Sequence, residues 1–179
     1  MKRISVAVRR KASKIRLLLL DVDGVLTDGR IIIDDRGVET KHFHVRDGQG
    51  ISLLIRSGIE VGFVTGRSSN VVRHRARELG VKLVFQDVSN KLVCYRRIKQ
   101  KTGLDDVNVA YIGDDIMDLP ILSQVGFAVT VADGWSGLAK VVDYVTVAFG
   151  GQGAVREVAE LLLKAQRKWS DLAKSRPKF

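Results

Sequence analysis

Short apolar runs rich in β-branched residues alternate with stretches of helical periodicity along most of this chain, and carboxylates stand at the ends of the runs. Such alternation restricts the fold more than any other feature, because strands that are separated by helices must pair parallel. The first strand is expected at Ile15–Val22, where four leucines in a row lead into Asp21 and Asp23. Further strands are expected at Glu60–Thr65, Lys82–Phe85, Asn108–Ile112, Phe127–Val131 and Asp143–Val147. Helices are expected at Gly50–Arg56, Ser69–Leu79, Asn90–Lys101, Ile116–Gln124, Trp135–Val141 and Gly153–Trp169. Gly80 stands where a helix C-cap belongs, and Val155, Val158, Ala159, Leu162 and Leu163 share one face of the closing helix. Between Asp23 and the first of these helices, Arg30–Ile33 and Val38–His44 flank Asp34-Asp35-Arg36-Gly37, which reads as a β-hairpin. The expected fold is α/β: a three-layer, Rossmann-like parallel sheet with helices on both faces, no large cap domain and a small hairpin flap. The 179 residues suit a single domain, and the chain has no internal repeat or long linker.

In such sheets ligands bind beyond the carboxyl ends of the strands, so the residues after each strand decide the chemistry. The first strand ends in Asp21-Val22-Asp23-Gly24 and the second in Thr65-Gly66-Arg67-Ser68. Ser89-Asn90-Lys91 follows the third, and Gly113-Asp114-Asp115 closes the fourth, with Asp118 after it. Carboxylates, a hydroxyl and a lysine converging on one edge are the inventory of phosphoryl transfer. Asp21 is the candidate nucleophile. Asp23, two residues on, returns to the same face and can protonate the leaving alcohol. Repulsion between Asp21 and phosphate oxygens calls for a divalent cation, and Mg²⁺ prefers oxygen ligands; Asp114 on a neighbouring strand can complete such a site beside Asp21. Thr65 and Lys91 can hold the phosphate and offset its charge. Each motif alone has an ordinary reading, as surface acids, a turn, a solvated lysine or a helix cap. Their joint order along the strands is what points to chemistry.

The net charge of +10 lies at the ends. Residues 1–16 hold seven Lys and Arg and no acid, residues 164–179 hold six with one acid, and residues 17–163 sum to −2. The basic extensions, 1–14 and 168–179, are read as solvated ends or as reaching toward an anionic ligand. Nucleic acid is not the expected partner, since such proteins spread basicity over a folded face. The single cysteine, Cys94, excludes a disulfide framework and reads as a buried thiol. No apolar run reaches the length of a membrane span, and the apolar run that ends at Asp21 is too short for a signal core. A cytoplasmic protein is expected.

The chain resembles the haloacid dehalogenase superfamily through Asp21-Val22-Asp23-Gly24-Val25-Leu26-Thr27-Asp28-Gly29, Val64-Thr65-Gly66-Arg67, Lys91 and Gly113-Asp114-Asp115. More narrowly, it resembles the 3-deoxy-D-manno-octulosonate 8-phosphate phosphatases. The stretches that carry this are His44-Val45-Arg46-Asp47-Gly48-Gln49-Gly50-Ile51, Ser89-Asn90-Lys91-Leu92 and Gly150-Gly151-Gln152-Gly153-Ala154-Val155-Arg156-Glu157. The resemblance runs from about Ile15 to Gln166. It implies a phosphatase that works through an aspartyl-phosphate on Asp21, with Asp23 as acid/base. It implies Mg²⁺ on Asp21, the Asp23 backbone carbonyl and Asp114, with Thr65 and Lys91 on the phosphate. It also implies a substrate site of Asp23, His44, Val45, Arg46, Asp47, Gly48, Arg67, Arg75 and Lys91, and a homotetramer built around the hairpin, with a C-terminal tail helping to cover a neighbour's site. The family places a basic residue four positions after Gly48, where this chain has Ser52, so one anion contact is missing.

Other functions compete. A nine-carbon, sialic-acid-type 9-phosphate is the nearest alternative substrate. A nucleic-acid end phosphatase would suit the basic ends but not the body. A signalling receiver domain would place its acceptor aspartate on a later strand than its acidic pair, the reverse of the order here. An inert copy of the fold would not keep every catalytic position filled. Several residues have plain structural readings: His42 and His44 as hairpin strand residues, Trp135 as packing, Trp169 as packing or a contact with another subunit, and Asp118 as a local cap or ion pair. The Gly150–Gly153 stretch is read as a shaped loop near the site.

Overall fold

The computed structural model describes residues 4–170. Six parallel strands form one sheet in the order β5-β4-β1-β6-β7-β8: β1 (Leu17–Leu20), β4 (Glu60–Val64), β5 (Leu83–Phe85), β6 (Val109–Gly113), β7 (Phe127–Thr130) and β8 (Tyr144–Val145). The remaining two strands, β2 (Ile32–Ile33) and β3 (Glu39–Thr40), pair antiparallel as the expected hairpin. Its Asp34 carboxylate accepts from the Arg36 and Val38 N–H groups, fixing the turn. The helices are α1 (Val6–Ala12), α2 (Val45–Arg56), α3 (Asn70–Leu79), α4 (Lys91–Thr102), α5 (Leu119–Leu122) and α6 (Ala154–Ala165).

The run of leucines in β1 follows from its central position. A strand with both faces covered has no reason to alternate apolar with polar. Leu18 and Leu20 pack with Ile51 and Leu54 of α2 and Val155, Val158 and Leu162 of α6. Leu17 and Leu19 point the other way, toward Tyr95 and Ile98 of α4 and Ile121 and Leu122 of α5. The chain leaves β1 for β4 and β5 on one side, then returns to β6 on the other. This reversal opens a crevice at the C-terminal ends of β1 and β6.

Four local expectations change. Helix α2 begins at Val45 rather than Gly50, and His44 is its N-cap rather than a strand residue, its Nδ1 accepting from the Arg46 N–H. The expected helix over Trp135–Val141 is a short 3-10 turn, Ser136–Lys140, and Trp135 is 45% exposed instead of packed. The closing helix ends at Ala165, not Trp169. The basic N-terminal stretch contains an unanticipated helix, α1, capped by Ser5 and packed on α6, with Lys11 paired to Asp143 at 2.6 Å. Of the C-terminal extension, residues 171–179 lie outside the described residues. Trp169 stacks against the Arg156 guanidinium and the Lys164 ammonium.

Candidate active site

Asp21 follows directly on β1, its N–H donating to the Ile112 carbonyl of β6, so the ladder itself aims the side chain over the sheet edge. Lys91 opens α4 behind the Asn90 cap and reaches across to it. The Lys91 ammonium donates to Asp21 Oδ2 and to Asp118 Oδ1, both at 2.6 Å, and to the Tyr111 hydroxyl at 3.3 Å. Asp118 has no exposed surface. Besides Lys91 it accepts from the Tyr111 hydroxyl (2.5 Å) and from the N–H groups of Asp114 (2.9 Å) and Asp115 (3.2 Å). It is therefore both the local cap expected of it and the brace that holds Lys91 and Asp114 in place.

Asp114 comes from the end of β6. Carboxylate oxygens of Asp21, Asp114 and Asp118 lie within 4.8 Å of one another. Asp118 is saturated by its four donors, while Asp114 has no side-chain donor among the described residues. Burial, followed by the Asp21 and Asp118 charges, pushes Asp114 up to about 7. Burial likewise raises Asp21 to about 6, with Lys91 opposing and Asp118 reinforcing the shift. For Lys91, burial works against the charge, but Asp21 and Asp118 outweigh it and hold the ammonium above its ordinary range. One lysine thus faces more negative charge than it can neutralise. The donor set is all oxygen, which fits Mg²⁺; Asp21 and Asp114 are the carboxylates left to bind it. Gly24 makes room for this arrangement: with φ +86° it passes so close that a Cβ there would stand 2.0 Å from Asp114 Oδ2.

Thr65 caps the other side from the end of β4, and its hydroxyl accepts from the Arg67 N–H at 3.3 Å. Together Asp21, Asp23, Thr65, Lys91, Asp114 and Arg67 line a cavity of about 230 Å³. The Asp23 carboxylate accepts a hydrogen bond from the Lys41 ammonium and lies 3.7 Å from the Arg67 Nε. Arg67 also donates to Glu39 at 3.1 Å. Burial would raise Glu39, yet hydrogen bonds from Ser69, Lys41 and Arg67 overcome it and hold this carboxyl below its usual range.

Of the other substrate candidates, His44, Val45, Arg46, Asp47, Gly48 and Arg75 do not line this cavity. They gather instead around the start of α2. Arg75 lies over Gly48, where a Cβ would meet its guanidinium at 2.2 Å, stacks on Phe43 and pairs with Glu78 at 2.8 Å. Val45 and Arg46 are exposed. Asp47 is buried, and both its oxygens are taken by the N–H groups of Gly153 (3.1 Å) and Arg156 (2.7 Å). It supplies the N-cap that Gly153, lacking a side chain, cannot give α6. Ser52 returns its hydroxyl to the Gly48 carbonyl at 3.1 Å, so it offers no anion contact in place of a basic side chain. The glycines before α6 are shaped to the site: a Cβ on Gly150 would lie 1.8 Å from the Gly24 carbonyl oxygen, and the Gly151 N–H donates to the Val25 carbonyl.

Sequence reasoning passed over Lys41, Glu39 and Tyr111. A signal for the first two was present, since Glu39 and Lys41 alternate along a strand and so share a face. Tyr111 was hidden inside an apolar run.

The chain is similar to several known proteins. Residues 83–153 match the family model for haloacid dehalogenase-like hydrolases. A 3-deoxy-D-manno-octulosonate 8-phosphate phosphatase of Escherichia coli strain K12 is 48% identical over 165 residues, covering 92% of this chain and 88% of the relative. The crystal structure of a 3-deoxy-D-manno-octulosonate 8-phosphate phosphatase from Yersinia pestis superposes with a TM-score of 0.92 at 45% identity, covering 93% of this chain and 90% of that one. The phosphatase of this kind from Moraxella catarrhalis, in complex with a magnesium ion, a phosphate ion and a KDO molecule, superposes with a TM-score of 0.91 at 43% identity, over 93% of this chain and 95% of that one.

Proposed function

Because this chain belongs to the haloacid dehalogenase-like hydrolases, among the 3-deoxy-D-manno-octulosonate 8-phosphate phosphatases, we propose that Asp21 is the nucleophile by which it hydrolyses the phosphomonoester of that sugar acid. The enzyme is a phosphoric monoester hydrolase that serves lipopolysaccharide precursor synthesis. The observation that carries the assignment of Asp21 is its place at the end of the central strand, under Lys91 and beside Asp114.

Asp21 attacks phosphorus through a carboxylate oxygen, and the bond to the ester oxygen breaks. Asp23 gives that oxygen its proton. Water then attacks the aspartyl-phosphate, Asp23 takes the proton, and phosphate leaves with Asp21 restored. Thr65 and Lys91 hold the non-bridging oxygens, Lys91 offsetting charge that grows in the transition state. Asp21, Asp114 and the Asp23 carbonyl would hold Mg²⁺, which when bound neutralises the phosphate charge that would otherwise repel the nucleophile.

Arg67 stands at the cavity and suits the sugar carboxylate or hydroxyls. His44, Val45, Arg46, Gly48 and Arg75 complete substrate binding in a homotetramer, where one subunit's α2 end serves a neighbour's cavity. Asp47 contributes by holding that end against α6. The hairpin supports this assembly by exposing Ile31, Ile33 and Val38. The protein acts in the cytoplasm; among the described residues, no helix is long and apolar enough to cross a membrane.

Phosphate release with Mg²⁺ from 3-deoxy-D-manno-octulosonate 8-phosphate, a nonulosonate 9-phosphate and a DNA 3′-phosphate tests the reading. Preference for the octulosonate, lost in Asp21→Asn and after chelation, is expected. Preference for either other ester, with the same dependence, would retain the mechanism and replace the substrate. Sedimentation that gives a monomer would refute the tetramer.

A further inference from the structure

Lys41 lies outside the phosphate grip, yet it is among the most deeply buried charges in the chain. Its side chain is 1% exposed and its ammonium sits between two carboxylates, Asp23 and Glu39, the second at 3.2 Å. Anchoring a hairpin does not call for a buried charge, since an apolar side chain of similar length would do so without the desolvation cost. Asp23 explains it. Among the described residues, Lys41 makes the only hydrogen bond to the Asp23 carboxylate. Arg67, at 3.7 Å from Oδ2, is too far to fix its rotamer. Lys41 is itself fixed from behind. Glu39 accepts from Ser69 Oγ at 2.5 Å and from Arg67 at 3.1 Å, and Ser69 is the N-cap of α3. The hairpin, the end of β4 and the start of α3 are thus tied together through one carboxylate, and the free end of this tie is the ammonium on Asp23.

We propose that Lys41, braced by Glu39, is a positioning residue that sets the Asp23 carboxylate for proton transfer with the substrate oxygen. The inference rests on the assignment of Asp23 as acid/base. Lys41 engages Oδ1 and leaves Oδ2 as the oxygen that carries the transferable proton. In the first step that proton goes to the departing alcohol as its bond to phosphorus breaks. In the second, the same oxygen takes a proton from water as the new oxygen–phosphorus bond forms. Lys41 exchanges no proton in either step.

Two esters separate positioning from simple support of the fold. A sugar alcohol leaves poorly without a proton, whereas p-nitrophenolate leaves without one. In the full-length protein, Lys41→Met is expected to lower kcat on 3-deoxy-D-manno-octulosonate 8-phosphate about 100-fold, with KM within about threefold. The p-nitrophenolate burst, which reads the first step alone, should stay within about threefold of wild type, and the turnover after it should slow. Asp23→Asn should show the same split more deeply. Glu39→Gln, which keeps the ammonium and loosens its brace, should show it at about tenfold, and it decides the matter if Lys41→Met does not fold. Equal losses in burst and sugar-ester turnover would make Lys41 a structural residue and overturn the proposal. So would a sugar-ester kcat within threefold of wild type in a protein whose Asp23→Asn variant is crippled. Full sugar-ester activity in Asp23→Asn would instead overturn the acid/base assignment, and the proposal with it.

Discussion

Binding of Mg²⁺ should expel protons, and the number follows from the site. Asp114 is pushed up to about 7 and Asp21 to about 6, because each is buried among carboxylates that Lys91 only partly offsets. Without metal at pH 6, Asp114 is then roughly nine-tenths protonated and Asp21 about half, or about 1.4 protons in all. The sum falls to about 0.6 at pH 7 and about 0.1 at pH 8. A metal that binds only the ionised carboxylates displaces these protons. Its apparent affinity should therefore rise about tenfold from pH 6 to 7 and only about twofold from pH 7 to 8. Isothermal titration calorimetry in buffers of different ionisation enthalpy reads the proton count directly. Asp114→Asn should cut release at pH 6 to about half a proton or less. An affinity flat between pH 6 and 7, with no proton release, would refute the argument that crowded carboxylates keep protons until the metal arrives.

Three further outcomes follow from the same contacts. Lys91→Met should lower kcat by at least about 100-fold, measured as phosphate release; a loss under tenfold would mean Lys91 does not meet the transition state. Asp47→Ala strands two part-buried N–H groups at the start of α6, which at about 1 kcal/mol each should lower Tm by about 4–8 °C in a thermal melt, and an unchanged Tm would count against the cap. Metal-free protein should lose stability as pH rises. A carboxyl with a raised folded-state pKa stabilises fully below its unfolded value and loses this as pH climbs through the folded one. The stability difference between wild type and Asp114→Asn should therefore shift against wild type between about pH 4 and pH 7, and saturating Mg²⁺ should remove the shift.

The catalytic edge was legible because parallel sheets repeat one rule: each apolar run points its final polar residue at the same crevice. Asp21, Thr65, Lys91 and Asp114 could therefore be placed together without coordinates, and the structure brings all four to one cavity. Features set by distant partners were harder to read. Helix α2 looked late because Gly48 has poor helix propensity, yet Gly48 and Gly50 lie where the helix passes close to its neighbours. A Cβ on Gly50 would stand 3.1 Å from the Arg156 Cα of α6, and one on Gly48 would strike Arg75. Helix α1 looked like a basic tail because its short sequence shows little apolar periodicity; Ser5, buried Ala12 and the Lys11–Asp143 pair stabilise it. Asp47 fell within a motif whose resemblance suggested substrate contact, and only the fold reveals that it caps a helix more than a hundred residues away in the chain. Lys41 carried no motif at all, and its partner Asp23 lies eighteen residues earlier across a hairpin.

The central claim is that phosphate passes through Asp21. Acid quench during turnover of a radiolabelled ester, followed by peptide mapping, tests this most directly. Label is expected on the peptide that contains Asp21, discharged on chase with unlabelled ester and absent from Asp21→Asn. Turnover with no labelled protein under conditions that preserve acyl phosphates, or label on any other residue, would contradict it.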